Sequence, residues 1–131
     1  MLVQELDSQE CEAFKHNYGC SQLGEDHVNT RTMLGNIAKH PNAGGVLVLG
    51  LGCENNVMPQ FIESLGDYNK DRIKFLVSQE VPNEIEEGVK ILKELYTKMK
   101  EDKRVTLLNL LVVLLQFSFL SSYNQYKRLL V

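Results

Sequence analysis

The feature that most constrains the fold is an alternation of extended and helical patterns along the chain. Two short apolar runs, Val46 to Leu49 and Ile73 to Val77, have the composition of strands, and the first is of the kind buried on both faces. A helical stretch, Asp26 to Lys39, precedes the first run, and further helical stretches follow each of them. Alternating helices and strands favour a parallel sheet with covering helices. The sequence therefore predicts an α/β fold, a three-layer open parallel sheet with helices on both faces, Rossmann-like.

The three helical stretches carry apolar stripes and end signals. Negative charge at Glu25 and Asp26 suits the positive N-terminal end of the first helix, and Pro82 opens the last, which runs to about Lys100. The proline and glycines of residues 40–45 end the first helix. The apolar positions of the three stripes are Val28, Met33, Leu34, Ile37 and Ala38, then Met58, Phe61, Ile62 and Leu65, then Ile85, Val89, Leu92, Leu95, Tyr96 and Met99.

The two ends of the chain differ from this pattern. Residues 1–15 have no clear period and are predicted to form a short helix or an edge strand. Residues 105–120 are almost entirely apolar, a run shorter than the roughly 20 residues of a membrane helix. Burial or contact with a second copy is favoured for this tail, and a membrane helix followed by Lys127 and Arg128 is the lesser alternative. We predict an α/β domain over residues 1–104 and an apolar tail over residues 105–131.

Charge and cysteine usage limit the partners and the compartment. The net charge of -3 comes without a clustered basic stripe, which argues against nucleic acid as a partner. The three cysteines are an odd number without a CxxC pair, as in proteins of a reducing compartment. The N-terminal residues resemble no secretory signal, so a cytoplasmic location is expected.

The densest polar cluster covers residues 16–27, in which two imidazoles, a thiol, a hydroxyl, amides and carboxylates lie close together. Its glycines allow tight turns, and the start of the following helix offers free N–H groups that suit an anionic carboxylate. The alternative is structural: Ser21 or Asp26 caps the helix while His16 and His27 lie on the surface. His40, next to a proline, is predicted to be a loop residue.

A second cluster, residues 52–56 (Gly-Cys-Glu-Asn-Asn), directly follows the first apolar strand. Loops at the carboxyl ends of parallel strands commonly carry function in open α/β sheets. The segment departs from the dinucleotide pattern GxGxxG, no phosphate-loop lysine follows it, and the cysteines and histidines lack a recognised metal-ligand spacing. A structural turn and a functional loop both remain open on these grounds.

Several motifs in consistent order resemble one enzyme family. They are YGCSQLGEDH (residues 18–27), NTR (29–31), HPNAGG (40–45) and LGLGCENN (49–56). Together they resemble the altronate dehydratase and D-galactarate dehydratase family over about residues 16–104. The resemblance implies an internal piece of a longer sugar-acid dehydratase, a hydro-lyase that converts altronate or galactarate to a 2-keto-3-deoxy acid and water. It also implies that residues 105–131 depart from the family and that the active site is incomplete.

The resemblance implies the following site. Glu54, His27 and His16 are the candidates for acid–base catalysis, and Cys20 and Cys53 for metal ligands; Glu54 or a histidine could take either role. Iron(II) or another divalent metal is the expected cofactor of the full enzyme, and a sugar acid the expected substrate. The candidates for substrate binding are Gln22, Arg31, Asn55 and Asn56, with Arg31 either meeting the carboxylate or supporting the helix. The competing hypothesis is a non-catalytic α/β module that binds a small ligand or another subunit.

Overall fold

The structure, a computed structural model, describes residues 11–102 and 128–130. Both predicted strands and all three predicted helices are present at or close to their expected positions, so the α/β prediction is confirmed. In chain order the elements are β1 (Cys11–Glu12), α1 (Gly24–Ala38), β2 (Ala43–Gly50), α2 (Met58–Leu65), β3 (Ile73–Val77), a 3-10 turn (Ser78–Glu80), α3 (Glu84–Lys100) and β4 (Arg128–Leu130).

The four strands form one small parallel sheet in the order β1-β4-β2-β3. The longest pairing joins β2 to β3, from Val46 opposite Ile73 to Gly50 opposite Val77. β2 lies inside the sheet, as its apolar run predicted. β1 lies at an edge, so the edge-strand alternative holds for Cys11 and Glu12, while residues 1–10 lie outside the described residues.

Adjacent residues of β2 belong to two separate core clusters. Val46 packs with Ala38 of α1 and Ile73 of β3. Leu47, which is 0% exposed, belongs to the α3 core, defined here as Leu47, Leu76, Leu92, Leu95 and Met99. Because successive side chains of a strand point to opposite faces, β2 is buried on both. Beyond Leu47 the strand is less buried: Val48 is half-buried, and Leu49 is 43% exposed and lines a cavity. The predicted run is therefore not buried to its end.

The stripe predicted for α1 is wrong at two positions, since Val28 and Met33 are 57% and 58% exposed. The helix approaches α2 through a small residue instead: a Cβ atom built on Gly35 would lie 3.2 Å from Cδ2 of Leu65. Because glycine has no side chain, a helix contact made through it produces no periodic pattern of large apolar residues in the sequence. The α2 and α3 stripes are confirmed, with Ile62, Ile85 and Tyr96 half-buried and the remaining stripe residues buried.

Polar contacts hold the two ends of α3. At its start, the Asn83 side chain accepts a hydrogen bond from the Glu86 N–H at 3.2 Å, the arrangement of a helix N-cap. Just beyond its last residue, Asp102 forms a two-pronged ion pair with Arg72, at 2.9 and 3.1 Å. Arg72 also donates to the main-chain oxygen of Gly44 at 2.9 Å, which ties α3 to the amino-terminal part of β2.

The predicted apolar tail lies largely outside the described residues, so its predicted contacts and the division at residue 104 stay predictions. Only the backbone of Arg128–Leu130 is described, and it pairs in parallel with both β1 and β2. Within residues 11–102 and 128–130, none of the helices combines the length and the apolar character needed to cross a membrane.

Candidate functional site

The two polar clusters singled out in the sequence meet at the carboxyl end of β2. The backbone N–H of Asn55 donates to the main-chain oxygen of Gly19 at 3.0 Å. The side-chain amide of Asn55 donates to the main-chain oxygen of Gln22 at 3.1 Å, across 33 residues of sequence. We call residues 16–22 and 51–56 together the loop pair. Asn55 therefore joins the two halves of the loop pair rather than extending freely into solvent.

Glu54 shapes the loop that follows β2. Its two carboxylate oxygens accept hydrogen bonds from the backbone N–H groups of Leu51 and Gly52, at 3.0 and 2.5 Å. Gly52 has φ +118°, which side chains rarely adopt, and a Cβ atom on Gly50 would lie 2.7 Å from Oε1 of Glu54. The glycines of this loop thus allow the carboxylate to turn back onto its own backbone.

The two cysteines predicted as metal ligands are neighbours in space. The Cys20 thiol donates to the main-chain oxygen of Cys53 at 3.2 Å, and the Gln79 amide donates to Sγ of Cys53 at 3.6 Å. Both cysteines are exposed. Among the described residues, however, no group of three or more His, Cys, Asp or Glu side chains could hold a metal ion. A divalent metal normally takes four or more ligands, so the described residues do not fit a resident metal by themselves.

Arg31 is the centre of a polar network behind the loop pair. Its Nε donates to Oδ1 of Asn56 at 2.8 Å, and its Nη2 lies 2.9 Å from Oε1 of Gln60 and 3.1 Å from Nε2 of His27. Arg31 and His27 lie one turn apart on α1, Asn56 on the loop and Gln60 on α2. The network therefore connects α1, the loop pair and α2.

A cavity of about 720 Å³ opens beside the loop pair. Four of the nine predicted site residues line it: His16, Cys20, Glu54 and Asn56. Apolar side chains of β2, α1 and α2 complete much of the wall, including Leu49 and Phe61. The volume is that of a small-molecule pocket, and a few polar groups on an apolar wall are the usual means of orienting such a ligand.

The other five predicted residues do not line this cavity. His27 and Arg31 lie in the network described above, and Asn55 and Cys53 make contacts within the loop pair. Gln22 is half-buried, and its Oε1 has no hydrogen-bond partner among the described residues. The structural alternative for this segment also needs correction, because α1 begins after Leu23 without a side-chain cap from Ser21 or Asp26. His40 lies in a loop, as predicted.

Two residues of the site were missed. Gln79 contacts Cys53, and its backbone N–H donates to the main-chain oxygen of Leu51 at 3.2 Å. It lies in the 3-10 turn that follows β3, so the rule that functional loops lie beyond the carboxyl ends of parallel strands could have found it. Gln60 contacts Arg31 from α2, and nothing in its spacing indicates this.

Cys11 is the third thiol, and it lies apart from the site. It is half-buried and packs against the α3 core. Burial raises the pKa of the Cys11 thiol, because an apolar surrounding disfavours the thiolate. The residue therefore behaves as a small apolar side chain rather than a nucleophile.

Known proteins share the sequence of this region. A family model described as D-galactarate dehydratase/Altronate hydrolase, second domain, matches residues 4–100. An altronate dehydratase of Escherichia coli (strain K12) is 57% identical over 91 residues, covering 70% of this chain and 18% of that protein. An altronate dehydratase of Bacillus subtilis (strain 168) is 60% identical over 90 residues, covering 69% of this chain and 18% of that protein. No solved structure matches the chain.

The chain thus spans about a fifth of the length of these curated relatives, 18% in each case. The matched range of residues 4–100 contains all four motifs and the whole loop pair. The chain belongs to the D-galactarate dehydratase/altronate hydrolase family.

Proposed function

We propose that this chain forms one wall of the active site of a sugar-acid dehydratase that acts on altronate or galactarate. The observation that carries the proposal is the loop pair, which gathers His16, Glu54 and Asn56 on one cavity at the carboxyl end of β2. The names of the relatives supply the reaction class, and the range matched by the family model, residues 4–100, includes the loop pair. The rest of the active site then belongs to the remainder of a longer enzyme.

The reaction defines what such a wall must do. A base removes the proton on the carbon next to the carboxylate, and the electrons move into an enediolate that aimed donors must stabilise. The hydroxyl on the neighbouring carbon then leaves with a proton as water, and the resulting enol becomes the 2-keto-3-deoxy acid. The wall must therefore offer a base, an acid and donors for hydroxyl and carboxylate oxygens.

The residues that line the cavity suit parts of this chemistry. Glu54 or His16 would serve as the base, since a carboxylate that already accepts two backbone N–H bonds still has lone pairs available. Asn56 would donate to a sugar hydroxyl or carboxylate oxygen. His27 remains a proposal for acid–base catalysis, and Gln22, Asn55 and Arg31 remain proposals for substrate binding. Arg31 has its Nη1 group unengaged by the described residues.

The metal remains a proposal for the longer enzyme. Iron(II) or another divalent ion would draw most of its ligands from outside the described residues, with Cys20 and Cys53 supplying at most two. When bound, such an ion would stabilise negative charge on substrate oxygens. Its identity is best tested by metal analysis of the longer enzyme with and without substitutions at the two cysteines.

We propose that the complete domain is a three-layer, Rossmann-like sheet, supported by the two core clusters that Val46 and Leu47 join from opposite faces of β2. We propose a cytoplasmic location, supported by three cysteines that are all free thiols. The tail of residues 105–131 remains the proposed contact between copies, and no partner beyond the substrate is proposed.

A chimera tests the function directly. Residues 4–100 would replace the corresponding segment of the Escherichia coli altronate dehydratase, and formation of 2-keto-3-deoxy acid from altronate and from galactarate would be followed. We expect dehydration of at least one acid. In the active chimera, Glu54→Gln should lower kcat/KM by about 100-fold or more, the usual contribution of a general acid or base.

Lys90→Gln is the control, because Lys90 is exposed on α3 and, among the described residues, pairs with Glu87 alone. It should leave kcat/KM unchanged. A chimera that folds but dehydrates neither acid would contradict the proposal. If the isolated chain then bound either acid in calorimetry without forming product, the non-catalytic ligand-binding module would be the better description.

A further inference from the structure

We propose that Arg31 is a positioning residue that holds His27 in the tautomer protonated on Nδ1. His27 would then be unable to take a proton through Nε2. The inference rests on the proposed function only for its catalytic meaning, since the tautomer is a property of the folded chain itself.

The guanidinium of Arg31 carries only hydrogen-bond donors and stays protonated at all ordinary pH values. Nη2 of Arg31 lies 3.1 Å from Nε2 of His27, so a hydrogen bond between them requires Nε2 to accept. A neutral imidazole carries one proton, which must then lie on Nδ1.

Two further hydrogen bonds keep the guanidinium in place. Asn56 and Gln60 accept from Nε and Nη2 of Arg31 at 2.8 and 2.9 Å, through amide oxygens of two different elements. Held at both positions, the planar guanidinium has little freedom to turn away from His27. The position of the guanidinium beside His27 is therefore supported by two elements other than α1.

The other two histidines give an internal contrast. The imidazole Nδ1 of His16 accepts from the backbone N–H of Tyr18 at 3.4 Å, and Nδ1 of His40 accepts from that of Asn42 at 3.2 Å. Neutral His16 and His40 therefore carry their proton on Nε2. His27 differs from both because its partner is a cationic side chain that reaches Nε2.

The consequence for the site is a division of roles. The lone pair on Nε2 of His27 is occupied, and the one lone pair of neutral His16, on Nδ1, accepts from Tyr18. The base proposed above therefore falls to Glu54, which lines the cavity. Arg31 also sets the amide of Asn56: with Oδ1 accepting from Nε, the NH₂ group is the part left to donate to a ligand. Arg31 thus acts through two neighbours instead of touching the reacting atoms.

Nuclear magnetic resonance of the chain labelled with ¹⁵N-histidine tests this without any activity measurement. Spectra of the two ring nitrogens would be recorded at about pH 8.5, well above the ordinary imidazole pKa of ~6.5. His27→Gln would assign the His27 signals. We expect His27 in the Nδ1-protonated form and His16 and His40 in the Nε2-protonated form.

Two variants test whether Arg31 determines the tautomer of His27. Arg31→Met should move His27 toward the Nε2-protonated form, because the donor that occupies Nε2 is gone. Gln60→Met removes one support of the guanidinium but leaves the bond to His27, and should preserve the Nδ1-protonated form. Arg31→Met that leaves the His27 tautomer unchanged would overturn the positioning role.

The measurement on the unaltered chain decides the inference even where Arg31→Met does not fold, since an Nε2-protonated or doubly protonated His27 would overturn it. An inactive chimera would count against the dehydratase function without affecting the tautomer of His27. An active chimera in which His27 is protonated on Nε2 would support the dehydratase function and overturn the positioning role of Arg31. The two proposals therefore fail separately.

Discussion

The α3 core and the loop pair are built from different interactions, although β2 contributes to both. Leu47, Leu92 and Leu95 of the α3 core are at most 1% exposed, so this region gains its stability from apolar burial and close packing. The loop pair is exposed or half-buried and is held by hydrogen bonds such as those of Glu54 and Asn55. Such bonds contribute only about 1 kcal/mol each to stability, but they fix direction. One region therefore supplies stability, and the other supplies geometry.

The largest expected effect comes from the α3 core. Leu92→Ala removes a side chain that is 0% exposed, and the cavity left behind cannot close completely. We expect the free energy of unfolding to fall by about 2–5 kcal/mol. Urea denaturation of the chain measures this. Leu23→Ala is the control, since Leu23 is 79% exposed, and a change within ~0.5 kcal/mol is expected. Equal losses from the two variants would show that the α3 core is not the stabilising region.

An intermediate effect is expected at Gly52 in the loop pair. Its φ of +118° is strained for alanine, and a Cβ atom would lie 2.9 Å from Oε1 of Gln79. Gly52→Ala should lower the free energy of unfolding by about 1–3 kcal/mol. In the active chimera it should also reduce kcat/KM by displacing Glu54.

The matched control for Gly52 is Gly19→Ala in the other half of the loop pair. Gly19 has no atom within 4 Å of an added Cβ and no positive φ. Its substitution should change the free energy of unfolding by no more than about 0.5 kcal/mol. If Gly52→Ala were as harmless as Gly19→Ala, the turn at Gly52 would not control the position of Glu54.

The smallest effect is a difference in thiol reactivity between the two regions. Burial against the α3 core raises the pKa of the Cys11 thiol above the ordinary value, which lowers the fraction of Cys11 that is thiolate at a given pH. The sulfur of Cys11 is also less accessible to a reagent than the exposed Cys20 and Cys53. Iodoacetamide at about pH 8 should therefore alkylate Cys20 and Cys53 faster than Cys11, as followed by peptide mass spectrometry. The rate for Cys11 should rise as the pH increases toward its raised pKa. Unfolding in urea should remove the difference; a Cys11 that reacted first in the folded chain would contradict its placement.

Much of the fold could be predicted because burial leaves a regular pattern. The apolar runs of β2 and β3 and the stripes of α2 and α3 all lie where their periods indicated. The buried face of α1 was not predicted, because the helix contacts Leu65 through Gly35. A glycine adds no large apolar residue to the sequence pattern, so this contact leaves no apolar stripe. Val28 and Met33 were consequently assigned to a buried face that they do not occupy.

The sequence indicated which two segments carry the polar residues of the site, but not how these segments contact each other. The two clusters could be recognised by their density of reactive side chains and by the position of the second after a strand. Their meeting through Asn55, Gly19 and Gln22 could not, because hydrogen bonds across 33 residues have no local period. Gln60 escaped for the same reason, since its contact with Arg31 depends on how α1 and α2 pack.

The sequence by itself therefore determined the α/β class, the positions of the elements in residues 11–102 and the family, because periodicity and motif order are properties of the linear chain. The tertiary structure decided which polar side chains share the cavity, which of them form hydrogen bonds with each other, and which nitrogen of His27 faces Arg31. Those outcomes depend on distances of about 3 Å between residues remote in sequence, at which hydrogen bonds form or fail. Only the packed elements set such distances.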